Sequence, residues 1–107
     1  MTTFNPQAVL DALEAEYAAR VTAISRDLAA SHSADSAEQA GERQNDEVLQ
    51  ALLVEAEHGQ QQAAQAKLRL SNGTYGVCQR CGDSIVAARL QALPTAAFCL
   101  GCADLAQ

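Results

Sequence analysis

Four cysteines constrain this chain more than any other feature. They come as two C-x-x-C pairs, Cys78 with Cys81 and Cys99 with Cys102, separated by seventeen residues. A C-x-x-C turn sets two sulfurs side by side, and the interval between the pairs falls in the range of four-thiolate zinc sites. Gly82, directly after the first pair, relieves the crowding that such a turn creates. Four soft thiolates suit zinc in a tetrahedron and leave no open position for water or substrate. One structural Zn2+ held by Cys78, Cys81, Cys99 and Cys102 is therefore expected. An iron centre and a redox dithiol are the rival readings, but redox C-x-x-C motifs normally accompany a βαβ pattern, which this sequence lacks. Zinc binding to such peptides contributes about 10–16 kcal/mol at neutral pH, at or above the whole stability of a small domain, so the finger should need its ion to fold.

Thiolate ligation presumes a reducing compartment. The segment MTTFNPQAV lacks the basic flank and apolar run of a signal peptide, and no stretch approaches the roughly 20 apolar residues of a membrane span; a cytoplasmic protein without membrane association is expected. At 107 residues the chain suffices for one modest core. Alanine supplies much of its apolar content and aromatics are scarce, which favours thin, close helix packing. Charge is uneven: residues 1–70 hold eleven acids against five bases, and residues 71–107 hold two of each. A four-thiolate zinc site adds two more negative charges, so neither part offers the basic stripe that phosphates require. Direct DNA binding is not expected.

Asn5-Pro6 reads as a helix start, with Asn capping orphan amides and Pro at the first helical position. Leu10, Leu13, Tyr17, Val21, Ile24 and Leu28 then form one apolar stripe, giving an amphipathic helix over about 6–30. The small polar run SHSADS marks a reversal, the tip of a hairpin near 31–37. A second helix from about 37 to 70 carries Leu49, Leu52, Ala56, Gly59, Ala63, Ala66 and Leu70 at alternating three- and four-residue steps, a coiled-coil seam. Gly59 on that seam reads as a close helix contact, with a hinge as the rival. A fold point near 33–34 sets Leu13 opposite the neighbourhood of Val54 and leaves the helix beyond about 62 to pack on the finger and residues 1–5, or on a second copy. Ser71-Asn72-Gly73 ends the helix. The fold expected is mostly α: an acidic antiparallel helical hairpin over 1–70, then a small four-cysteine zinc finger over 71–107 with a short helix ending before Pro94. Ile85, Val86, Leu90 and Leu93 are its expected small core.

The C-terminal motifs G-T-Y-G-V-C-x-x-C-G, I-V-A-A-R-L-Q-A-L-P-T-A and C-x-x-C, behind an acidic helical hairpin, resemble the DksA/TraR family. The resemblance implies a bacterial transcription regulator that binds RNA polymerase, not DNA, and inserts its coiled coil through the secondary channel toward the active site. The family's tip motif, D-x-x-D-x-A, fits here in two registers. One uses Asp35 and Ala37 with His32 at the first acid; the other uses Asp35, Glu38 and Ala40, with Glu in place of the second Asp. Asp35 is also placed to cap the second helix, with Glu38 completing a capping box. Arg89 matches the family's Arg-Leu pair and is a candidate partner contact, or packs its stem on the finger. Some family members sense ppGpp through basic residues around the finger and the hairpin base, including the positions that here lie just before Pro94 and just after Cys102. Leu93 and Ala103 stand there, so a strong ppGpp response is not expected. His32 and His58 are expected in solvent. No grouping of nucleophile, base and orienter is evident, so an enzyme is not expected. The alternative is a zinc-binding adaptor whose hairpin docks another partner or dimerises.

Overall fold

The structure, a computed structural model, describes residues 4–32 and 39–103, and for residues 31, 32 and 39–44 the backbone alone. Its elements are α1 (Pro6–His32), α2 (Gln39–Asn72), α3 (Ala87–Ala92) and α4 (Leu100–Ala103). The fold is mostly α, a helical hairpin followed by a four-cysteine finger, with no strand among the described residues. Asn5 opens α1 as its sequence position requires: its Oδ1 accepts the Ala8 amide at 3.2 Å, and its carbonyl accepts the Val9 amide at 3.1 Å. At the other end of the hairpin, Gly73 takes φ +79°. Its amide bonds the Leu70 carbonyl while the Thr74 amide reaches the Arg69 carbonyl at 2.8 Å, the paired bonds that close a helix on a left-handed residue.

The chain divides into two compact units, one of residues 14–61 and one of 1–13 with 62–107. In the first, the expected stripe Tyr17, Val21, Ile24 and Leu28 is half-buried, and α1 runs antiparallel to α2. Gly59 is buried, and a Cβ built on it would lie 2.4 Å from Cε1 of Tyr17. That confirms the close-contact reading of this glycine. Leu52 stands on the seam as expected: although 45% exposed, it lines a groove with Tyr17, Ile24 and Ala56, and its neighbour Leu53 is half-buried as well.

In the second unit, Leu10, Ala63 and Ala66 are fully buried. Lys67 Nζ pairs with Asp11 Oδ1 at 2.8 Å, so the last turns of α2 do have a partner in α1. With Asp11 facing Lys67 and Tyr17 facing Gly59, each α1 residue meets a partner further along α2 than a fold point at 33–34 allows. The pairing of Leu13 near Val54 is therefore corrected: helical periodicity fixes which face packs, but not the register between helices. No described helix is long and apolar enough to cross a membrane.

Candidate metal centre

The finger begins as a narrow loop. Gly76 (φ +84°) and Gly82 (φ +80°) make its two left-handed turns, Val77 and Ser84 form an antiparallel bridge, and the Cys78 amide donates to the Asp83 carbonyl at 2.8 Å. The Gly82 amide returns to the Cys78 carbonyl at 3.0 Å, closing the turn that carries Cys78 and Cys81 on one side. Gly82 thus supplies the backbone conformation expected after the first pair. The second pair is made differently: the Cys99 carbonyl accepts the amides of Cys102 and Ala103, so Cys99 caps α4 from the residue before it and Cys102 stands within it.

Between the pairs, α3 ends at Ala92 because Leu93 (φ −131°, ψ 82°) leaves the helical region, which a following proline disfavours. Ile85 is buried and Leu90 packs against it, as expected of the finger core. Val86 and Leu93 are not in that core, at 61% and 52% exposed. Val86 is the extended N-cap residue of α3 and Leu93 its non-helical C-cap, so neither lies on the helix's inner face. Phe98 takes the place they leave.

The fold brings the four sulfurs of Cys78, Cys81, Cys99 and Cys102 within 4.8 Å of one another. Those of Cys81 and Cys99 are 3.7 Å apart, close to the edge of about 3.8 Å that a tetrahedron with 2.3 Å zinc–sulfur bonds demands. Cys78 and Cys102 are buried, Cys99 is half-buried and Cys81 is exposed. Their protons are unevenly held. Burial opposes ionisation of Cys78, yet backbone hydrogen bonds from Cys81, Cys99 and Arg80 prevail and hold its thiol down at about 6. The Cys102 thiol, hydrogen-bonded to Cys99 and buried, is pushed up to about 12. For Cys81 a backbone hydrogen bond from Asp83 favours the thiolate, but Cys78, burial and Cys99 together push the thiol up. One thiolate makes the next harder to form, and a soft dication at the centre of the four relieves that conflict. The donor set is all sulfur and closed, so it suits a structural ion rather than an open Lewis acid.

Two family models cover the chain in succession. Residues 7–69 match "DnaK suppressor protein-like, N-terminal domain", and residues 73–107 match "Prokaryotic dksA/traR C4-type zinc finger". The chain belongs to the DksA/TraR family. Its fold is similar to that of transcription factor DksA2 from Pseudomonas aeruginosa, with a TM-score of 0.85 at 25% identity over 94% of this chain and 79% of that one. A 36-residue stretch is 44% identical to an uncharacterized protein of Aquifex aeolicus (strain VF5), spanning 34% of this chain but only 25% of that relative's length. As in the C4-type finger that it matches, this DksA/TraR protein carries one structural zinc.

Among the other residues singled out by sequence, Asp35, Ala37 and Glu38 lie outside the described residues. His32 ends α1 and Ala40 is in the first turn of α2. Exposed His58 fits the solvent position expected of it. Arg89 sits on α3, half-buried, and its Nε donates to the Phe98 carbonyl at 3.0 Å. Sequence reading gave no role to Arg69 or Tyr75. Arg69 donates to the Thr95 carbonyl at 3.3 Å, and the Tyr75 hydroxyl to the Pro94 carbonyl at 2.8 Å. A tyrosine three residues before a metal-binding pair, with a hydroxyl that must find a partner once buried, was the available signal for Tyr75. Arg69 had none.

Proposed function

We propose that this chain is a zinc-stabilised regulator of bacterial transcription that binds RNA polymerase through its secondary channel. In this reading Cys78, Cys81, Cys99 and Cys102 ligate the zinc. The segment between α1 and α2, with Asp35, Ala37 and Glu38, and Ala40 in the first turn of α2, is presented toward the polymerase active site. The protein works in the cytoplasm as a non-catalytic effector. The observation that carries the reading is that both halves of the chain match DksA/TraR models in the order hairpin, then finger, while the whole superposes on a transcription factor of that architecture. The charge agrees with it: a hairpin rich in acids suits contact with protein better than with nucleic-acid phosphates. With Leu93 and Ala103 at the positions where ppGpp-responsive members carry basic residues, a strong ppGpp response is not expected.

The test is binding of the zinc-loaded protein to bacterial core RNA polymerase, with a known secondary-channel factor as competitor. Competitive binding is expected. No binding at micromolar concentrations would overturn the reading and favour an adaptor whose hairpin docks elsewhere. Asp35→Asn then tests the tip, since it removes one charge at nearly constant shape. Wild-type affinity with lost transcriptional effect is the expected result, and an unchanged effect would remove Asp35 from the mechanism.

A further inference from the structure

The segment Pro94–Phe98 carries no regular structure, yet it delivers Cys99 to the other three sulfurs. Its conformation is held by donors aimed at its carbonyls. Tyr75 Oη donates to Pro94, Arg69 Nη2 to Thr95, the Gln79 amide to Ala97, and Arg89 Nε to Phe98, at 2.8, 3.3, 2.8 and 3.0 Å respectively. These donors come from four places: the last turn of α2, the loop before the first cysteine pair, the first pair itself and α3. Within the segment, the Ala96 amide bonds back to Leu93. An irregular stretch with so few bonds of its own takes its shape from what surrounds it.

We infer that Arg89 is a positioning residue for the metal: by fixing the Phe98 carbonyl it sets the direction in which Cys99 leaves the segment, while Tyr75 and Arg69 anchor the segment's other end. Arg89 acts one peptide away from a donor sulfur. The bond uses Nε, the donor nearest the stem of the side chain, so the guanidinium lies close against the segment rather than reaching away from it. A metal's outer partners orient its ligands, and losing one typically costs 10–100-fold in affinity. The Arg89 bond acts one step further out, through the peptide that joins Phe98 to Cys99. The role concerns the metal alone and is independent of which macromolecule the hairpin contacts.

The test measures zinc affinity of the full chain by competition with a chromophoric chelator, together with the thiolate-to-metal charge-transfer spectrum of the cobalt-substituted protein. Arg89→Met keeps a long apolar stem and removes the donor. Zinc affinity is expected to fall about tenfold or more, with an altered cobalt spectrum and unchanged hairpin helicity. Arg89→Lys, which keeps a cationic donor, should recover part of both. A purely packing role would leave Arg89→Met and Arg89→Lys alike in spectrum, and wild-type affinity and spectrum in Arg89→Met would overturn the inference. Should Arg89→Met lose the hairpin as well, Tyr75→Phe decides. It removes a single hydroxyl from the same segment and should weaken zinc binding in the same direction. An unchanged affinity in Tyr75→Phe would then refute the positioning role.

Discussion

Gly59→Ala puts the packing of the hairpin to a quantitative test. In the middle of an exposed helix this substitution is favourable, because Ala exceeds Gly in helix propensity by about 0.8–1 kcal/mol. Here the added methyl would sit 2.4, 2.5 and 2.7 Å from Cε1, Cζ and Cδ1 of Tyr17, distances at which one of the two must move. The ring is not free to swing at no cost: Arg20 stacks over it at 5.1 Å and is itself ion-paired with Glu16. Forcing an extra methyl into a filled contact typically costs about 1–3 kcal/mol. The difference leaves a net destabilisation of about 1 kcal/mol, a fall in Tm of about 4 °C for a chain this size. Thermal melts of the zinc-loaded protein, followed by helical circular dichroism, measure it. The control is Tyr17→Ala. In that background the ring is gone, so Gly59→Ala should become neutral or stabilising, and the sign change gives the coupling between the two sites. If Gly59→Ala raised Tm in the wild-type background by the full propensity gain, the ring would not be seated on Gly59 and the helix register drawn from that contact would be wrong.

Three further outcomes follow from the titratable groups. Hydrogen bonds from Lys67 and then Gln7 hold the Asp11 carboxyl below its ordinary value of 3.8. Its contribution to stability is therefore present above that value and lost as pH falls through the lowered one. Carboxyl NMR should show the Asp11 midpoint rising in Lys67→Met, and an unmoved midpoint would remove the ion pair from solution. Burial raises the Tyr75 hydroxyl above its ordinary 10.0, against the opposing pull of the Arg69 charge. Here the sign reverses: the stabilisation is complete below 10 and disappears as pH climbs through the folded value. Alkaline denaturation should begin earlier in wild type than in Tyr75→Phe, relative to each protein's stability at neutral pH. Zinc, finally, competes with protons for four thiolates, so its affinity should drop steeply on acidification. A pH-independent affinity would mean that fewer sulfurs bind.

Much of this molecule was legible because its signals are local. Asn5-Pro6, the α1 stripe, the stop at Gly73, the stop before Pro94 and both cysteine pairs each depend on a few neighbouring residues and on backbone rules that apply anywhere. What escaped was long-range. The register that sets Asp11 on Lys67 depends on where the chain reverses, which a polar run marks only loosely. Tyr75 and Arg69 find their acceptors nineteen and twenty-six residues away, and a side chain bonded to a distant carbonyl leaves no periodic trace in the sequence.

The finger's core and its metal site are one object, and this decides what chelation should do. Its buried cluster is Cys78, Ile85 and Cys102, with Leu90, Phe98 and Cys99 packed on it. Half of these six carry the donor sulfurs. Removing the ion therefore leaves Ile85, Leu90 and Phe98 as the apolar remainder, around a thiol held down at about 6 and another pushed up to about 12. Three apolar side chains do not offset the conformational entropy of ordering the finger. The hairpin differs. Its last turn is closed by the Gly73 and Thr74 amides, outside the metal site, and Asp11 with Lys67 ties it to α1. Chelation should thus cost helical signal only from the six residues of α3 and the four of α4, against 27 in α1 and 34 in α2 that persist. Amide exchange on the zinc-free protein should show protection lost beyond Thr74 and retained along α1 and α2. If protection collapsed along both long helices as well, the hairpin would owe its stability to the zinc, and the contacts between the helices would not hold it alone.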